Sequence, residues 1–287
     1  MTPGLGFGVS INASTELDPA TEARHAESLG FDMVTVSDHL VGSRPTYETW
    51  TMLTWMAAAT ERIGLGTDVL GLPYRDPAVL AKMAESLDRL SSGRLTLGLG
   101  GGGSDAEFRA FGLAVRPPRG KVDAQEEALR VIRGLWSEEA VTMEGRHFSL
   151  DGASIAPRPS RDIPVWLGSY GKRSLRLLGR AADGWIPSLP YCPPDRYVER
   201  RDIVRKAAEE AGRNPDDITY AYNVGVRLDE RAEKRRSVVI GGPGEVIESL
   251  VDFARRGVTF LNLWPAGGAE QRQRLAEEVV PGVREAV

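Results

Sequence analysis

An aspartate-histidine pair is the first feature of this sequence whose residue types and position are suited to chemistry. The segment Val34–Leu40, VTVSDHL, alternates like a strand and then reaches Asp38 and His39, in a chain with only three histidines. An imidazole gains or loses a proton near neutral pH, so His39 is a candidate acid or base. A histidine that only caps the strand and bonds to Asp38 accounts for the same pattern, and the sequence leaves both interpretations open.

Two glycine-rich segments are the next candidates, because glycine lets the backbone approach a ligand and leaves N–H groups free to face an anion. Gly100–Gly103 follows a predicted strand. The segment Gly168–Lys172, GSYGK, follows another predicted strand and opens a helix, whose N-terminal amides can hold a phosphate. Either segment alone is also consistent with a flexible loop. Two such segments that both follow predicted strands favour a binding site.

The elements that would position these residues alternate between strand and helix along the whole chain. Hydrophobic periodicity predicts eight strands, at Leu5–Ile11, Met33–Ser37, Ile63–Leu70, Leu95–Leu99, Val165–Gly168, Trp185–Leu189, Ile218–Leu228 and Phe260–Leu263. It predicts helices between them, at Pro19–Leu29, Tyr47–Thr60, Pro77–Leu90, Gln125–Trp136, Arg173–Ala182, Pro194–Ala211 and Pro243–Arg256, with a last helix from Glu270. A hairpin is expected over Ala140–Leu150, outside this repeat.

Eight strands alternating with helices in 287 residues predict an α/β fold, a closed (β/α)8 TIM barrel with a small hairpin insertion, formed by residues 1–287 as one domain. An open doubly wound sheet is the alternative. In such barrels the working groups lie where the strands end, on the βα loops. The predicted strand ends bring together the candidates Asn12, Asp38, His39, Thr67, Asp68, Val69, Gly100–Gly103, Gly168–Gly171, Ser188 and Trp264.

These strand ends offer little to a hydrolase. A metal-dependent one needs several histidine and carboxylate ligands, but His25 falls in a predicted helix and His147 in the hairpin, so no metal is expected. The Gly-x-Ser-x-Gly elbow of many serine hydrolases does not occur. A glycosidase needs two flanking carboxylates, and only Asp38 and Asp68 lie at strand ends.

Composition limits the partners and the compartment. The net charge of −4 and scattered basic residues argue against a nucleic-acid partner, since clustered cations supply affinity for phosphate backbones. No apolar run approaches the roughly 18 residues needed to cross a bilayer, and the start of the chain lacks the pattern of a signal peptide, so no membrane partner is expected. The single thiol, Cys192, cannot form an internal disulfide. We therefore expect a cytoplasmic location.

Several segments together resemble the luciferase-like flavin and deazaflavin oxidoreductases. They are VSDHL at Val36–Leu40, LGTDVLGLPYRDPAVLAK at Leu65–Lys82, LDRLSSGRLTLGLGGG at Leu87–Gly102, PVWLGSYGKRSLRLLGRAADGW at Pro164–Trp185 and GGPGEVIESLVDFARRGV at Gly241–Val258. They occur in the order typical of that family and span nearly the whole chain. The aspartate-histidine pair is the form usual in the deazaflavin branch.

The resemblance implies a TIM barrel that holds a tricyclic ring over its mouth. The expected cofactor is coenzyme F-420 (8-hydroxy-5-deazaflavin), with FMN as the alternative. His39 would lie near the ring carbon that exchanges hydride, as acid/base or electrostatic partner, and the family often has a non-prolyl cis peptide behind the ring, here at Asp68-Val69. The residues expected to contact the cofactor are Asp38, His39, Thr67, Asp68, Val69, Gly102, Gly103, Gly168, Ser169, Tyr170, Gly171 and Lys172.

One departure from the family pattern affects the substrate. The sugar-phosphate dehydrogenases carry a glutamate proton donor in the loop after strand four, where this chain has Gly103 and Ser104, with Glu107 further along. A sugar phosphate is therefore not expected, and catalytic roles beyond His39 stay open. The resemblance implies hydride transfer between a deazaflavin and an unidentified small organic molecule, by a homodimer. The alternatives are an FMN-dependent monooxygenase and a flavin-binding protein without turnover.

Overall fold

A computed structural model describes residues 4–42 and 45–287 and contains a parallel barrel. The strands are β1 Gly6–Ser10, β2 Met33–Val36, β3 Gly64–Thr67, β4 Leu70–Gly71, β5 Leu95–Gly100, β6 Val141–Glu144, β7 Ser149–Ala153, β8 Val165–Leu167, β9 Gly184–Trp185, β10 Thr219–Leu228, β11 Val238–Gly241 and β12 Phe260–Pro265. Eight of them pair in the order β1-β2-β3-β5-β8-β9-β10-β12, and β12 pairs with β1 to close the ring. The predicted closed barrel is confirmed, and the open-sheet alternative is wrong.

Helices follow the barrel strands and cover the outside of the ring. They are α1 Pro19–Ser28, α2 Thr49–Ala59, α3 Pro77–Leu90, α4 Asp105–Ala110, α5 Pro118–Ser137, α6 Lys172–Ala181, α7 Pro194–Glu210, α8 Pro243–Arg255, α9 Gly268–Arg274 and α10 Val280–Ala286. Asp18 and Asp76 begin α1 and α3 with carboxylates that accept from first-turn amides, each just before a proline at a tolerated position. Within the described chain, no helix is both long and apolar enough to traverse a bilayer.

The amino end of the barrel interior is filled by side chains. Met33, Trp166, Ile186, Ala221 and Phe260 form a buried cluster, in which the rings of Trp166 and Phe260 meet edge to face with centroids 5.3 Å apart. Because this end is packed, the free space of the barrel lies at the opposite, carboxyl end of the strands. Loops that follow the strands therefore surround the open end of the barrel.

The third strand departs from the prediction. We expected one strand over Ile63–Leu70, but β3 ends at Thr67, the Asp68–Val69 peptide bond is cis, and pairing resumes in β4. The hydroxyl of Thr67 takes over part of the interrupted ladder: it donates to the Gly98 carbonyl and accepts from the Gly98 amide, both at 2.9 Å. A Cβ on Gly98 would lie 1.9 Å from the Thr67 carbonyl oxygen, so this close approach requires glycine.

Other differences lie at the edges of elements. The hairpin insertion is confirmed as β6 paired with β7. Helix α5 begins at Pro118 rather than at Gln125, which places its first two turns beside the barrel mouth. Strand β11 was not predicted, and it pairs with β10 outside the closed ring. Its sequence is a run of three β-branched residues after a charged stretch, which favours a strand but is too short to show a periodicity.

Candidate active-site cleft

The mouth of the barrel opens into a cleft of about 1030 Å³ at the carboxyl ends of the strands. Most of the predicted site residues line it, namely Asp38, His39, Asp68, Val69, Gly102, Gly103, Gly168, Ser169 and Tyr170, and so do Ser188 and Trp264. Thr67, Gly171, Lys172 and Asn12 do not line it. The cleft is at the upper end of the range of small-molecule sites, roughly 300–1,000 Å³.

His39 lies on the wall of the cleft, with 60% of its side chain exposed. Its Nδ1 is 3.1 Å from Oε2 of Glu107, whose side chain is only 4% exposed. The imidazole therefore presents its other nitrogen, Nε2, on the side away from the glutamate. An imidazole held by a carboxylate through one nitrogen is a common arrangement for a proton carrier.

Asp38 does not bond to the imidazole beside it in the sequence. Its carboxylate is buried and accepts from the Arg75 guanidinium at 2.8 and 3.3 Å and from the Gly71 amide at 2.9 Å. Arg75 also pairs with Glu48 at the start of α2. The interpretation of the Asp38-His39 pair as a simple capped strand end is therefore wrong, because successive side chains of an extended chain point to opposite sides. Asp38 holds the loop after β3, and His39 faces the cleft.

Glu107 is the residue that the sequence analysis left without a role. It lies on α4, the short helix that follows the glycine segment, and Ser104 caps this helix by accepting from the Glu107 amide. The glutamate Oε1 accepts from the amides of Leu40 and Val41 at 2.5 and 3.1 Å. The signal in the sequence was a serine followed three residues later by an acidic residue, which is the pattern of a helix start.

Hydrogen bonds keep the buried Glu107 carboxyl ionised. Burial alone would raise its pKa, but bonds from His39, the Val41 amide, the Tyr74 hydroxyl and the Leu40 amide outweigh burial, and the pKa is lowered. The Tyr74 ring packs edge to face on Phe108, with centroids 5.0 Å apart, and this packing fixes the position of the Tyr74 hydroxyl beside the carboxylate.

A network of amides and carboxyl oxygens forms the floor of the cleft. Asp68 accepts from the Asn223 amide at 2.8 Å and from the Asn262 amide at 3.1 Å, and Asn262 also donates to Asn223 and to the Thr35 hydroxyl. Burial raises the pKa of Asp68 to about 6, although these amide bonds offset part of the effect. Asn223 and Asn262 were not predicted, although an asparagine inside an otherwise apolar strand was a readable signal.

The rim formed by the second glycine segment offers donors to an anion. The Ser169 hydroxyl is buried and has no hydrogen-bond partner among the residues that the structure describes, although the residue lines the cleft. The Tyr170 hydroxyl accepts from the Ser188 amide at 3.1 Å and so connects this rim to the loop that follows β9. Gly171 begins α6 without a side-chain cap, which leaves the first-turn amides of the helix available to a ligand.

Four of the candidate residues lie outside the lining of the cleft, and contact of Thr67, Gly171 and Lys172 with a cofactor stays a prediction. Thr67 is buried behind the cleft, where its hydroxyl bridges to Gly98, so it supports the wall instead of reaching the interior. Gly171 and Lys172 are exposed at the start of α6, outside the cleft itself. The Asn12 side chain accepts a hydrogen bond from the Ser14 amide at 2.9 Å.

Among the described residues, no group of three or more histidine, cysteine or acidic side chains is arranged to hold a metal ion.

Comparisons with known proteins agree with this arrangement. A family model described as luciferase-like monooxygenase matches residues 12–240. The chain is 33% identical over 256 residues to a 5,10-methylenetetrahydromethanopterin reductase of Methanolobus tindarius, a match covering 86% of the chain and 74% of the relative. It is 34% identical over 234 residues to an F420-dependent glucose-6-phosphate dehydrogenase of Kineococcus radiotolerans, covering 79% of the chain and 68% of the relative.

Solved structures share the fold at lower identity. An F420-dependent secondary alcohol dehydrogenase in complex with an F420-acetone adduct superposes with a TM-score of 0.88 at 19% identity, over 98% of this chain and 99% of that one. The monooxygenase RslO1 from Streptomyces bottropensis superposes with a TM-score of 0.82 at 23% identity, over 96% of this chain and 99% of that one. At these identities the likeness concerns the fold.

Proposed function

Because the chain belongs to the luciferase-like monooxygenase family, we propose that it is an oxidoreductase that transfers a hydride between the deazaflavin coenzyme F-420 and an organic substrate. The observation that carries the proposal is His39, an imidazole on the wall of a large cleft, bonded to a buried carboxylate. The names of the relatives support the choice of coenzyme, since the glucose-6-phosphate dehydrogenase and the secondary alcohol dehydrogenase are both F420-dependent.

The residues of the cleft fit a flat ring with a phosphorylated tail. Ser169 is the most specific observation, because a buried hydroxyl without a partner costs free energy that a ligand oxygen can offset. The uncapped start of α6 lies next to it in the chain and favours negative charge. At the other rim, an added Cβ on Gly103 would meet nothing within 4 Å, so the backbone there is open to a close neighbour.

We assign the ring to the space above Asp68 and Val69 and the tail to the rim of Ser169, Tyr170 and α6. When bound, the coenzyme supplies the ring carbon that gives or takes the hydride. The chain would supply the rest: Val69 would support the ring, and the glycines at 102 and 103 would allow its close approach. His39 exchanges a proton with the substrate, as acid or as base.

The test is anaerobic turnover of the reduced coenzyme with a panel of organic acceptors, followed by the return of the visible absorbance of oxidised F-420. The panel contains ketones, imines and 5,10-methylenetetrahydromethanopterin, with glucose 6-phosphate and oxidised coenzyme in the opposite direction. We expect at least one compound to react only when protein is present. Oxygen consumption with reduced FMN, without any deazaflavin reaction, would instead assign a monooxygenase, and tight coenzyme binding without turnover of any compound would indicate a binding protein.

His39→Ala is the matching variant for this assay. It removes the proton carrier but leaves the Asp38–Arg75 pair and the floor of the cleft in place, so the fold and coenzyme binding should persist. We expect most hydride transfer to be lost, by about 10²-fold or more. An unchanged rate would remove His39 from the mechanism.

We also propose that the enzyme is a homodimer, that residues 1–287 form one domain, and that it works in the cytoplasm. Trp55 on α2 and Val79 on α3 expose 63% and 58% of their surface on neighbouring helices, which supports an interface there. One continuous apolar core packs the barrel against its helices, which supports a single domain. The unpaired thiol of Cys192 is buried and suits a reducing compartment.

A further inference from the structure

We infer that Glu107 is a positioning residue that fixes the tautomer of His39, so that the neutral imidazole presents an unprotonated Nε2 to the substrate. The inference rests on the proposed function for its catalytic meaning, although the tautomer is a property of the protein without coenzyme. Nothing in the sequence pattern assigns this role to Glu107, which lies 68 residues from the histidine along the chain.

The geometry allows one assignment of the proton. Oε2 of Glu107 lies 3.1 Å from Nδ1 of His39, and an ionised carboxylate can only accept hydrogen bonds. A lone pair on Nδ1 would face the negative oxygen, so Nδ1 carries the hydrogen. In the neutral ring the other nitrogen, Nε2, is then the acceptor.

Hydrogen bonds to both of its oxygens hold the Glu107 carboxylate in one orientation. The other carboxylate oxygen, Oε1, is held by the main-chain amides of Leu40 and Val41, the two residues that follow the histidine. This oxygen therefore fixes the backbone that carries the imidazole, while Oε2 orients the ring. With only 4% of its side chain exposed, the carboxylate has little contact with water.

The other two histidines have the opposite arrangement and provide an internal reference. A guanidinium of Arg272 lies 3.0 Å from Nδ1 of His25, and the Nε of Arg116 lies 3.4 Å from Nδ1 of His147. Because a guanidinium can only donate, Nδ1 accepts in both rings and Nε2 carries the hydrogen. His39 is thus the one histidine of the three expected as the Nδ1–H tautomer.

The chemical consequence concerns the direction of proton flow. When the substrate is oxidised, Nε2 would take the proton of its O–H or N–H group, and the bound coenzyme would supply the acceptor for its hydride. The imidazolium formed is stabilised by Glu107, which stays ionised. In the reverse reaction Nε2 would return the proton to the substrate, and the bound coenzyme would supply the hydride.

The experiment is nitrogen-15 NMR of the full-length protein labelled at histidine, without coenzyme, at a pH where imidazoles are neutral. Signals are assigned by replacing each histidine in turn. We expect His25 and His147 to show the Nε2–H pattern and His39 the Nδ1–H pattern. A wild-type His39 in the Nε2–H form would overturn the inference, and this measurement requires no variant at position 107.

Glu107→Gln then tests the cause. The amide oxygen can keep the bonds from Leu40 and Val41, which places the amide nitrogen against His39 as a donor. We expect the ring to change to the Nε2–H tautomer, with coenzyme affinity within about twofold and kcat reduced by roughly 10²-fold. Glu85→Gln is the matched control, since Glu85 is a buried, ion-paired glutamate on α3 away from the cleft, and it should alter neither signal nor rate.

The two claims fail in different ways. If the Glu107→Gln spectrum keeps the wild-type tautomer, Glu107 does not position the imidazole and the inference is wrong, whatever the enzyme does with F-420. If the tautomer changes as expected but neither wild type nor variant reacts with F-420, the proposed function is at fault, because the NMR readout involves no coenzyme.

Discussion

At the scale of single residues, Asp68 makes a prediction about pH and stability. Its pKa is raised to about 6 in the folded protein, against an ordinary value of 3.8, because burial penalises the charged form. Between these values the folded state holds a proton that the unfolded state releases, so the free energy of unfolding decreases as pH rises from 4 to 6. Above pH 6 to 7 this decrease stops.

Asp68→Asn removes this titrating group. The free energy of unfolding of the variant, relative to that of wild type, should therefore increase as pH rises across that range. The difference between the two proteins should change by about 3 kcal/mol between pH 4 and pH 7.5, since one pKa unit corresponds to about 1.4 kcal/mol. Urea unfolding at several pH values measures it, with the exposed Asp162→Asn as control. Parallel stability curves for wild type and Asp68→Asn would show that Asp68 titrates normally.

Local chemistry allowed much of the cleft to be predicted at the residue scale. His39, Ser169 and the glycines at 102 and 103 lie where their strand-end positions put them. Glu107, Asn223 and Asn262 were missed because their roles depend on partners far along the chain: Asn262 donates to Thr35, 227 residues away. The opposite error affects Asp38, where adjacency in sequence suggested a bond to His39 that the alternation of side chains prevents.

At the scale of elements, the break in the third strand is where the fold depends on a side chain. The Thr67 hydroxyl both donates to and accepts from Gly98, and so joins β3 to β5 at the point where β3 ends. Thr67→Val keeps the shape but leaves the buried Gly98 amide and carbonyl without this partner. We expect the free energy of unfolding to decrease by about 1–3 kcal/mol.

Chemical denaturation of Thr67→Val measures this loss, with Thr54→Val on the exposed face of α2 as control, where a change within about 0.5 kcal/mol is expected. Since Thr67 does not reach the cleft, coenzyme affinity should change less than it would for a residue that contacts the ligand. A Thr67→Val protein as stable as wild type would show that the bridge to Gly98 contributes nothing.

The sequence predicted the order of elements well and their ends less well. Helix α3 occupies Pro77–Leu90 as expected, because an aspartate cap, a proline and a regular apolar face all mark it. The sequence analysis placed the start of α5 at Gln125 because the periodic apolar positions begin near there. The polar first turns of the helix, from Pro118, are instead held by contacts with loops at the barrel mouth. Strand β11 carries a short β-branched run at positions 238–240 that the sequence analysis overlooked, and it pairs with β10.

At the scale of the whole molecule, the exposed side chains of Trp55 on α2 and Val79 on α3 make a prediction about assembly. If they form a homodimer interface, Trp55→Glu places a charge in it, and light scattering after size exclusion should report a dimer for wild type and a monomer for the variant. Phe111→Glu is the control, because Phe111 is 49% exposed but follows α4. A monomeric wild type, or a dimer unaffected by Trp55→Glu, would contradict the proposed interface.

The closed ring explains why one cleft can combine residues from so many parts of the chain. Every strand of a parallel barrel delivers its carboxyl end to the same mouth, so His39 after β2, Asp68 after β3, Gly102 after β5 and Ser169 after β8 meet around one space. The packed amino end leaves that mouth as the place for a ligand.

Equilibrium titration of the purified protein with coenzyme F-420 and with FMN, followed by fluorescence, tests the central claim most directly. We expect saturable binding of F-420 in the micromolar range or tighter, corresponding to about −8 kcal/mol or more favourable, and at least tenfold weaker binding of FMN. Preferential binding of FMN, or no binding of either compound at high micromolar concentration, would contradict the assignment of this cleft to a deazaflavin.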